Sequence, residues 1–333
     1  MACSEFELIK RYFHWPSNDE SIAKGVGDDC ALLNIQTLGT GGEQLAVSMD
    51  TLVAGTHFPD DATAAEIASR AFCTALSDLA AMGARPLWFT LGLTLPSTNE
   101  QWLQEFSVSL KTISQHYHCA LIGGDTTRGP LAVTIQVHGA VNSPLQRSRA
   151  TAGDQIFVTG TLGDGAAALR LLQNKMTAQA GDGEYLKQHF YRPKAQIAAG
   201  QLLSHYIHCA IDISDGLLAD LQHIANASQV DMDIQVKQLP LSPAYKNTVG
   251  AAQWQLAASG GDDYQLAFTV PASQQVKIDH LITHQQLNAS AIGWVRECSS
   301  DIPQVNCYDG ERALDITTRG YQHFHLACAF VDA

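Results

Sequence analysis

The chain has 333 residues, of which 46% are hydrophobic and 16% are charged, and its net charge at pH 7 is −13. This size allows two domains with complete cores, whereas the acidity, with no cluster of lysines and arginines, argues against nucleic-acid binding. The polar N-terminus and the lack of an apolar run of about 18 residues predict neither a signal peptide nor a membrane span. Eight cysteines without a Cys-x-x-Cys pair indicate no zinc site and no disulfide framework. We therefore expect a cytoplasmic protein.

Apolar runs and helical periodicity predict the first elements of the chain. They are a short amphipathic helix, two strands joined by a glycine-rich turn, and a long helix, over residues 5–13, 30–35, 45–50 and 62–83. The long helix carries an apolar stripe that includes Asp78. A carboxylate on a buried helix face is either paired or a ligand, and the other aspartates of the chain favour a ligand.

The next segment is a strand over 87–95, followed by Ser97-Thr98-Asn99-Glu100, which has the spacing of a capping box at a helix start. A short buried strand over 119–122 then leads into Gly123-Gly124-Asp125, and a longer strand covers 131–141. The polar stretch 147–153 predicts a domain boundary. We accordingly divide the chain into domains 1–150 and 151–333.

The second half repeats the alternation of strands and helices. We predict strands over 155–159, 209–213, 231–236, 264–270 and 290–295, and helices over 166–172, 195–206, 217–228 and 272–286. The polar stretch 174–184 is expected to be mobile. This pattern predicts an α/β (α+β) fold.

Aspartates recur beside small residues at the ends of apolar runs. They are Asp28, Asp29, Asp50, Asp78, Asp125, Asp212 and Asp215. A single Gly-Asp step is more often a turn than a ligand site. If these carboxylates converge, however, their repulsion raises their pKa values unless cations neutralise them, and hard oxygen ligands select Mg²⁺ or Ca²⁺. Magnesium held by carboxylates and substrate phosphates is the arrangement used for phosphoryl transfer, although neither common phosphate-binding glycine motif is present.

Six stretches resemble, in order and along nearly the whole chain, the motifs of the thiamine-monophosphate kinase family. They are GDDCA (27–31), DTLVAGTHF (50–58), LSDLAAMGA (76–84), GGDTTRG (123–129), IDISDGL (211–217) and SGGDDY (259–264). The resemblance implies a two-domain fold like that of aminoimidazole ribonucleotide synthetase, with a homodimer formed through the N-terminal domain. It also implies that ATP and thiamine phosphate react to give ADP and thiamine diphosphate.

The same resemblance implies the roles of individual residues. Several Mg²⁺ ions are expected on Asp29, Ser48, Met49, Asp50, Asp78, Asp125, Asp212 and Asp215. The expected ATP contacts are Gly124, Asp125, Arg147 and Ser214, and the expected thiamine phosphate contacts are His57, Asp262 and Tyr321. No motif pairs a serine or histidine with an activating base, so we expect no covalent catalytic residue.

Several of these positions leave alternatives open. Met49 stands where relatives often have threonine, so only its backbone oxygen could be a ligand. Asp262 stands where relatives usually have glutamate, and its shorter arm reaches the substrate directly or through a water. Arg149 is a rival to Arg147 at ATP, and Ser214 either contacts the nucleotide or caps its helix.

Other functions of the same superfamily are the alternatives. A formylglycinamidine-type cyclase or a selenophosphate synthetase would use similar loops, but the latter is expected to carry a reactive cysteine in a glycine-rich N-terminal loop. Here the first cysteine, Cys3, lies in an acidic stretch without glycine. A non-catalytic ATP-binding maturation factor would lack part of the aspartate set, which is complete in this chain.

Overall fold

The computed structural model describes residues 22–24, 28–34, 44–316 and 320–321. The helix predicted over 5–13 lies outside these residues. The described chain forms two β-sheets with helices packed on them, which agrees with the predicted α/β class. No helix in the described ranges is long and apolar enough to cross a membrane.

The first sheet has six strands, and their order in space is β1-β2-β3-β6-β4-β5. These strands are β1 (Ile22–Lys24), β2 (Ala31–Asn34), β3 (Gln44–Val53), β4 (Arg85–Leu95), β5 (Ala120–Arg128) and β6 (Ala132–Val141). Neighbouring strands are antiparallel except β4 and β5, which are parallel. Helices α1 (Ala64–Ala81) and α2 (Glu100–His116) accompany this sheet.

The second sheet has seven strands in the order β13-β12-β9-β11-β7-β10-β8. They are β7 (Gln155–Thr159), β8 (Cys209–Asp212), β9 (Val230–Gln235), β10 (Leu266–Val270), β11 (Ala289–Glu297), β12 (Val305–Asp309) and β13 (Arg312–Leu314). Its helices are α3 (Asp164–Leu172), α4 (Ala180–Tyr191), α5 (Ile197–Leu203), α6 (Leu217–Ser228), α7 (Pro243–Thr248), α8 (Trp254–Ser259) and α9 (Gln275–Thr283). The parallel pair in this sheet is β9 and β12.

Helix α1 lies between the two halves of the molecule. It begins with a capping box in which Thr63 and Glu66 bond each other's backbone N–H groups, and nearly all of its residues are buried. It packs against β3 and β6 of the first sheet and against α5 and β8 of the second half. A Cβ on Gly200 of α5 would lie 2.0 Å from the carbonyl oxygen of Ala80, so these two helices touch at backbone distance. One hydrophobic core consequently contains residues from both halves of the chain.

Two predictions about elements were wrong. Strand β5 is exposed along all nine residues, because it forms the edge of the sheet and pairs only with β4. Helix α2 is capped by Asn99, whose side chain accepts from the Trp102 N–H, rather than by a box beginning at Ser97. The polar stretch 174–184 contains the start of α4, which is held in the core by Leu186 and Phe190.

Candidate functional site

Three buried or half-buried carboxylates meet where the two halves of the chain join. Asp29 precedes β2, Asp78 lies near the end of α1 and Asp212 is the last residue of β8. One oxygen from each lies within 4.8 Å of the others. Three separate elements thus deliver hard oxygen ligands to one point, which suits a divalent cation.

Strand β3 adds two further members of the expected metal set. The hydroxyl of Ser48 donates to a carboxylate oxygen of Asp78. Asp50 is two residues further along β3 and therefore points to the same face of the sheet. Met49 lies between them, and its side chain is 61% exposed on the opposite face. Only its backbone oxygen remains a candidate ligand.

Burial and mutual repulsion oppose ionisation in this cluster. The pKa of Asp50 is raised to about 6 by burial. The pKa values of Asp78 and Asp212 are raised well above the usual range, first by burial and then by neighbouring carboxylates. A bound cation would offset this repulsion, so the donor set fits Mg²⁺.

Arg147 supplies a positive charge at the border of the cluster. Its Nε lies 3.1 Å from Oδ2 of Asp29, a second nitrogen bonds Oδ1 of the same carboxylate, and Oδ1 of Asp28 is 3.6 Å from Nε. Burial lowers the pKa of Arg147, but Asp29, Asp28 and Asp212 together raise it by more, so the guanidinium stays charged. Arg149 is exposed. Of the two rival arginines, Arg147 is the one that faces the aspartates.

The loop after β8 carries Ser214 and Asp215 to the same region. Helix α6 begins with Gly216 as its N-cap, so Ser214 does not cap this helix. Gly216 has φ +121°, and a Cβ there would lie 2.7 Å from the carbonyl oxygen of Ser259. The buried carboxylate of Asp220 accepts from the N–H groups of Asp215 (3.2 Å) and Gly216 (3.0 Å), which fixes the loop.

The expected substrate residues His57 and Asp262 are joined by an arginine that sequence reasoning missed. Arg70 of α1 donates to the carbonyl oxygen of His57 at 3.0 Å and to Oδ1 of Asp262 at 2.5 Å. The Tyr264 hydroxyl donates to the same Oδ1 at 3.2 Å. His57 Nδ1 accepts from the Val53 N–H at 3.0 Å, which assigns the proton of the neutral ring to Nε2.

The loop of Asp262 is hydrogen-bonded to the loop of Ser214 and Asp215. The Asp262 N–H donates to the Ser214 carbonyl oxygen at 2.9 Å, and the Tyr321 N–H donates to the Asp215 carbonyl oxygen at 2.9 Å. The side chain of Tyr321 is 45% exposed. The residues expected at the nucleotide and at the substrate are therefore adjacent.

Gly124 and Asp125 are not brought to this cluster within one chain. The strand register connects Asp50 to Gly124 through Ile135 and Leu91, so these two residues are three strands apart, or about 14 Å. Asp125 lies in the neighbouring row, whose side chains point to the other face. It is exposed on the edge strand β5.

Besides Arg70, sequence reasoning missed Asp220 and Asp263. Asp263 is fully buried and accepts from the N–H groups of Gly163 (2.7 Å) and Gly165 (3.1 Å) at the start of α3. An aspartate four residues after Gly216 could have been identified as a local acceptor for that turn. For Arg70 the sequence offers no signal, because all its partners lie far along the chain or across the fold.

Comparison with known proteins identifies the family. Residues 27–141 match the model of AIR synthase related protein, N-terminal domain, and residues 151–306 match that of the C-terminal domain. The chain is 46% identical over 333 residues to the thiamine-monophosphate kinase of Escherichia coli strain K12, covering 97% of this chain and 99% of the relative.

Solved structures agree with this assignment. Thiamine-monophosphate kinase from Stenotrophomonas maltophilia K279a superposes with a TM-score of 0.75 and 40% identity, over 92% of this chain and 97% of that one. AaThiL complexed with AMPPCP and TMP gives a TM-score of 0.80 and 29% identity, over 96% of this chain and 97% of that one.

The hydrogenase maturation protein HypE of E. coli shares the fold, with a TM-score of 0.66 over 90% of this chain and 93% of that one. Its identity is only 22%, so this likeness concerns the fold alone. The relatives that match at high identity along nearly the whole sequence are kinases. The chain therefore belongs to the thiamine-monophosphate kinase family.

Proposed function

We propose that the chain transfers the γ-phosphoryl group of ATP to thiamine phosphate, giving ADP and thiamine diphosphate. Family membership makes the chain a kinase. The observation that carries the proposal is the carboxylate cluster of Asp29, Asp78 and Asp212 beside two loops that are hydrogen-bonded to each other. The complex of AaThiL with AMPPCP and TMP supports the same pair of ligands here.

Magnesium ions are proposed to bind the carboxylate cluster together with Asp50, Asp215 and the hydroxyl of Ser48. When bound, they would neutralise the charge of the triphosphate and of the phosphate acceptor. The residues of the chain hold the carboxylates in place, and Arg147 offers a further positive charge to the phosphates. Asp125 and Gly124 remain candidates for ATP and metal contact, and their approach to the cluster would require a change in β5.

The acceptor oxygen of thiamine phosphate is already anionic, so the transfer needs no general base. Tyr321 and Asp262 offer an aromatic face and a carboxylate, which suit a cationic thiazolium ring. His57 offers a ring N–H at the same site. The proposed role of the protein is thus to position two anionic reactants and to reduce their repulsion.

The test is turnover of γ-labelled ATP with a small panel of acceptors. Label should appear in thiamine diphosphate and none should remain on the denatured protein when thiamine phosphate is omitted. Activity only with a formylglycinamidine precursor or with selenide would favour the other superfamily enzymes. ATP binding without transfer to any acceptor would favour a maturation factor.

We also propose that two chains form a homodimer through the N-terminal domain. The edge strand β5 exposes Leu121 by 53% and Ile122 by 59%, and exposed apolar edge strands are usually covered. Sedimentation velocity should detect a dimer down to low micromolar concentrations. A fully active monomer at these concentrations would contradict the proposal.

The free cysteines among the described residues are consistent with the proposed cytoplasmic location.

A further inference from the structure

Arg70 is a buried arginine that joins three separate segments of the chain. Its side chain is 3% exposed, and all of its hydrogen bonds are made inside the protein. Nε donates to the His57 carbonyl oxygen at 3.0 Å, one terminal nitrogen to the Phe190 carbonyl oxygen at 2.8 Å, and the other to Oδ1 of Asp262 at 2.5 Å. The guanidinium also lies 3.7 Å from the centre of the Phe190 ring.

We propose that Arg70 is a positioning residue of the thiamine phosphate site, which rests on the function proposed above. It belongs to α1 of the first half, whereas Asp262 and Phe190 belong to the second half. One rigid, planar group therefore fixes His57 and Asp262 relative to each other across the junction of the two halves. A lysine carries the same charge, but it cannot present three diverging N–H groups in one plane.

The pattern of bonds on Asp262 shows what Arg70 achieves. Arg70 and the Tyr264 hydroxyl both donate to Oδ1, and no described residue donates to Oδ2. The Asp262 side chain is 22% exposed, so part of this carboxylate faces the solvent. Because two donors hold Oδ1, Oδ2 is the oxygen that is proposed to face the substrate.

The backbone of Asp262 reinforces this need for support. Its φ is +71°, in the left-handed region that non-glycine residues rarely adopt. Burial lowers the pKa of Arg70, but Asp262, Tyr264 and Tyr191 together raise it by more, so the guanidinium remains charged and the ion pair persists. Without the Arg70 guanidinium, the loop that carries Asp262 would be free to change conformation and to turn Oδ2 away from the substrate.

The experiment compares Arg70→Lys with wild type for both substrates. The KM for thiamine phosphate should rise about tenfold, while the KM for ATP should stay within about twofold. Arg170→Lys is the matched control, because Arg170 is an exposed arginine on α3, and it should behave like wild type. A purely structural role would instead lower the melting temperature and change both KM values together.

A double-mutant cycle with Asp262→Asn tests whether Arg70 acts through Asp262. In the Asp262→Asn background, Arg70→Lys should raise the KM for thiamine phosphate by less than twofold. Independent, multiplying effects would overturn the proposal. Tyr264→Phe provides a second variant should Arg70→Lys fold poorly, since it removes the other donor to Oδ1. It should raise the same KM about threefold, and an unchanged KM would count against the model.

The outcome for wild type separates the two proposals. If wild type does not phosphorylate thiamine phosphate, the proposed function fails and the role of Arg70 fails with it. If wild type is active and the arginine and tyrosine variants keep a normal KM for thiamine phosphate, only the role of Arg70 fails.

Discussion

Replacing Asp78 with asparagine should have opposite effects on activity and on the stability of the metal-free protein. The change removes one charge from the proposed magnesium site, and activity should fall about a hundredfold or more. It also removes a buried carboxylate whose pKa is raised by burial and by Asp50, so the metal-free protein should unfold at a higher temperature.

Kinetic assays at saturating Mg²⁺ and thermal unfolding in a chelator provide the two measurements. Asp233→Asn is the control, because Asp233 pairs with the exposed Arg296 on the second sheet, at 3.1 Å. Near-normal turnover in folded Asp78→Asn protein would remove Asp78 from the site.

The local sequence predicted individual carboxylates better than their convergence. Asp29 precedes an apolar run, Asp78 interrupts one and Asp212 lies near the end of one, and the structure brings the three together. Asp125 has the same local texture but lies on the far edge of the sheet. The difference depends on strand order, which no local pattern encodes. Arg70 was missed for a related reason. The role of an arginine in an alanine-rich helix depends on partners such as Phe190 and Asp262, which are far away in the sequence.

At the scale of elements, the turn at Asp263 should contribute measurably to stability. Its carboxyl group accepts from two buried N–H groups at the start of α3; burial raises the pKa of this group, and the two hydrogen bonds oppose that rise. Asp263→Ala leaves both donors unpaired, and the free energy of unfolding should fall by about 3 kcal/mol.

Urea denaturation measures this change. Asp279→Ala on the exposed face of α9 is the control and should alter the free energy of unfolding by less than about 0.5 kcal/mol. An equally small effect of Asp263→Ala would mean that water replaces the lost acceptor.

Helices with a regular spacing of apolar residues were predicted well. Elements whose structure or exposure depends on tertiary packing were not. Helix α6 was predicted over 217–228 and is observed at Leu217–Ser228, because its apolar positions recur regularly after Gly216. Helix α4 begins among polar residues and depends on packing of Leu186 and Phe190. The exposure of β5 follows from what lies beside it, and a run of apolar residues does not reveal that.

For the whole molecule, the carboxylate cluster should make stability depend on pH and Mg²⁺ together. The folded-state pKa of Asp50 is raised to about 6, against about 3.9 in an unfolded chain, and those of Asp78 and Asp212 are also raised. Above about pH 4, these three carboxyl groups therefore bind more protons in the folded protein than in the unfolded chain. The contribution of Asp50 to stability is therefore lost as the pH rises from about 4 through about 6, and the contributions of Asp78 and Asp212 are lost at higher pH.

Since Mg²⁺ competes with protons for these carboxylates, it should raise the melting temperature more at pH 7.5 than at pH 5.5. Thermal unfolding with Mg²⁺ and with a chelator at each pH gives the difference. The comparison also separates the cluster from His223, whose pKa is lowered to about 4 by burial and which contributes the opposite trend. An equal increment at both pH values would contradict the prediction.

The backbone contact between Gly200 and Ala80 restricts how the molecule can enclose its reactants. Many enzymes enclose their substrates by a hinge motion, in which two domains rotate toward each other about a flexible segment. Here the two halves are in contact through α1 and α5, where a methyl group on Gly200 would collide with the backbone of Ala80. The two halves also share one hydrophobic core. We therefore expect loops to exclude water from the site, without a rotation of the two halves. Small-angle scattering should accordingly give the same radius of gyration with and without a nucleotide analogue, and a marked contraction would reveal a hinge.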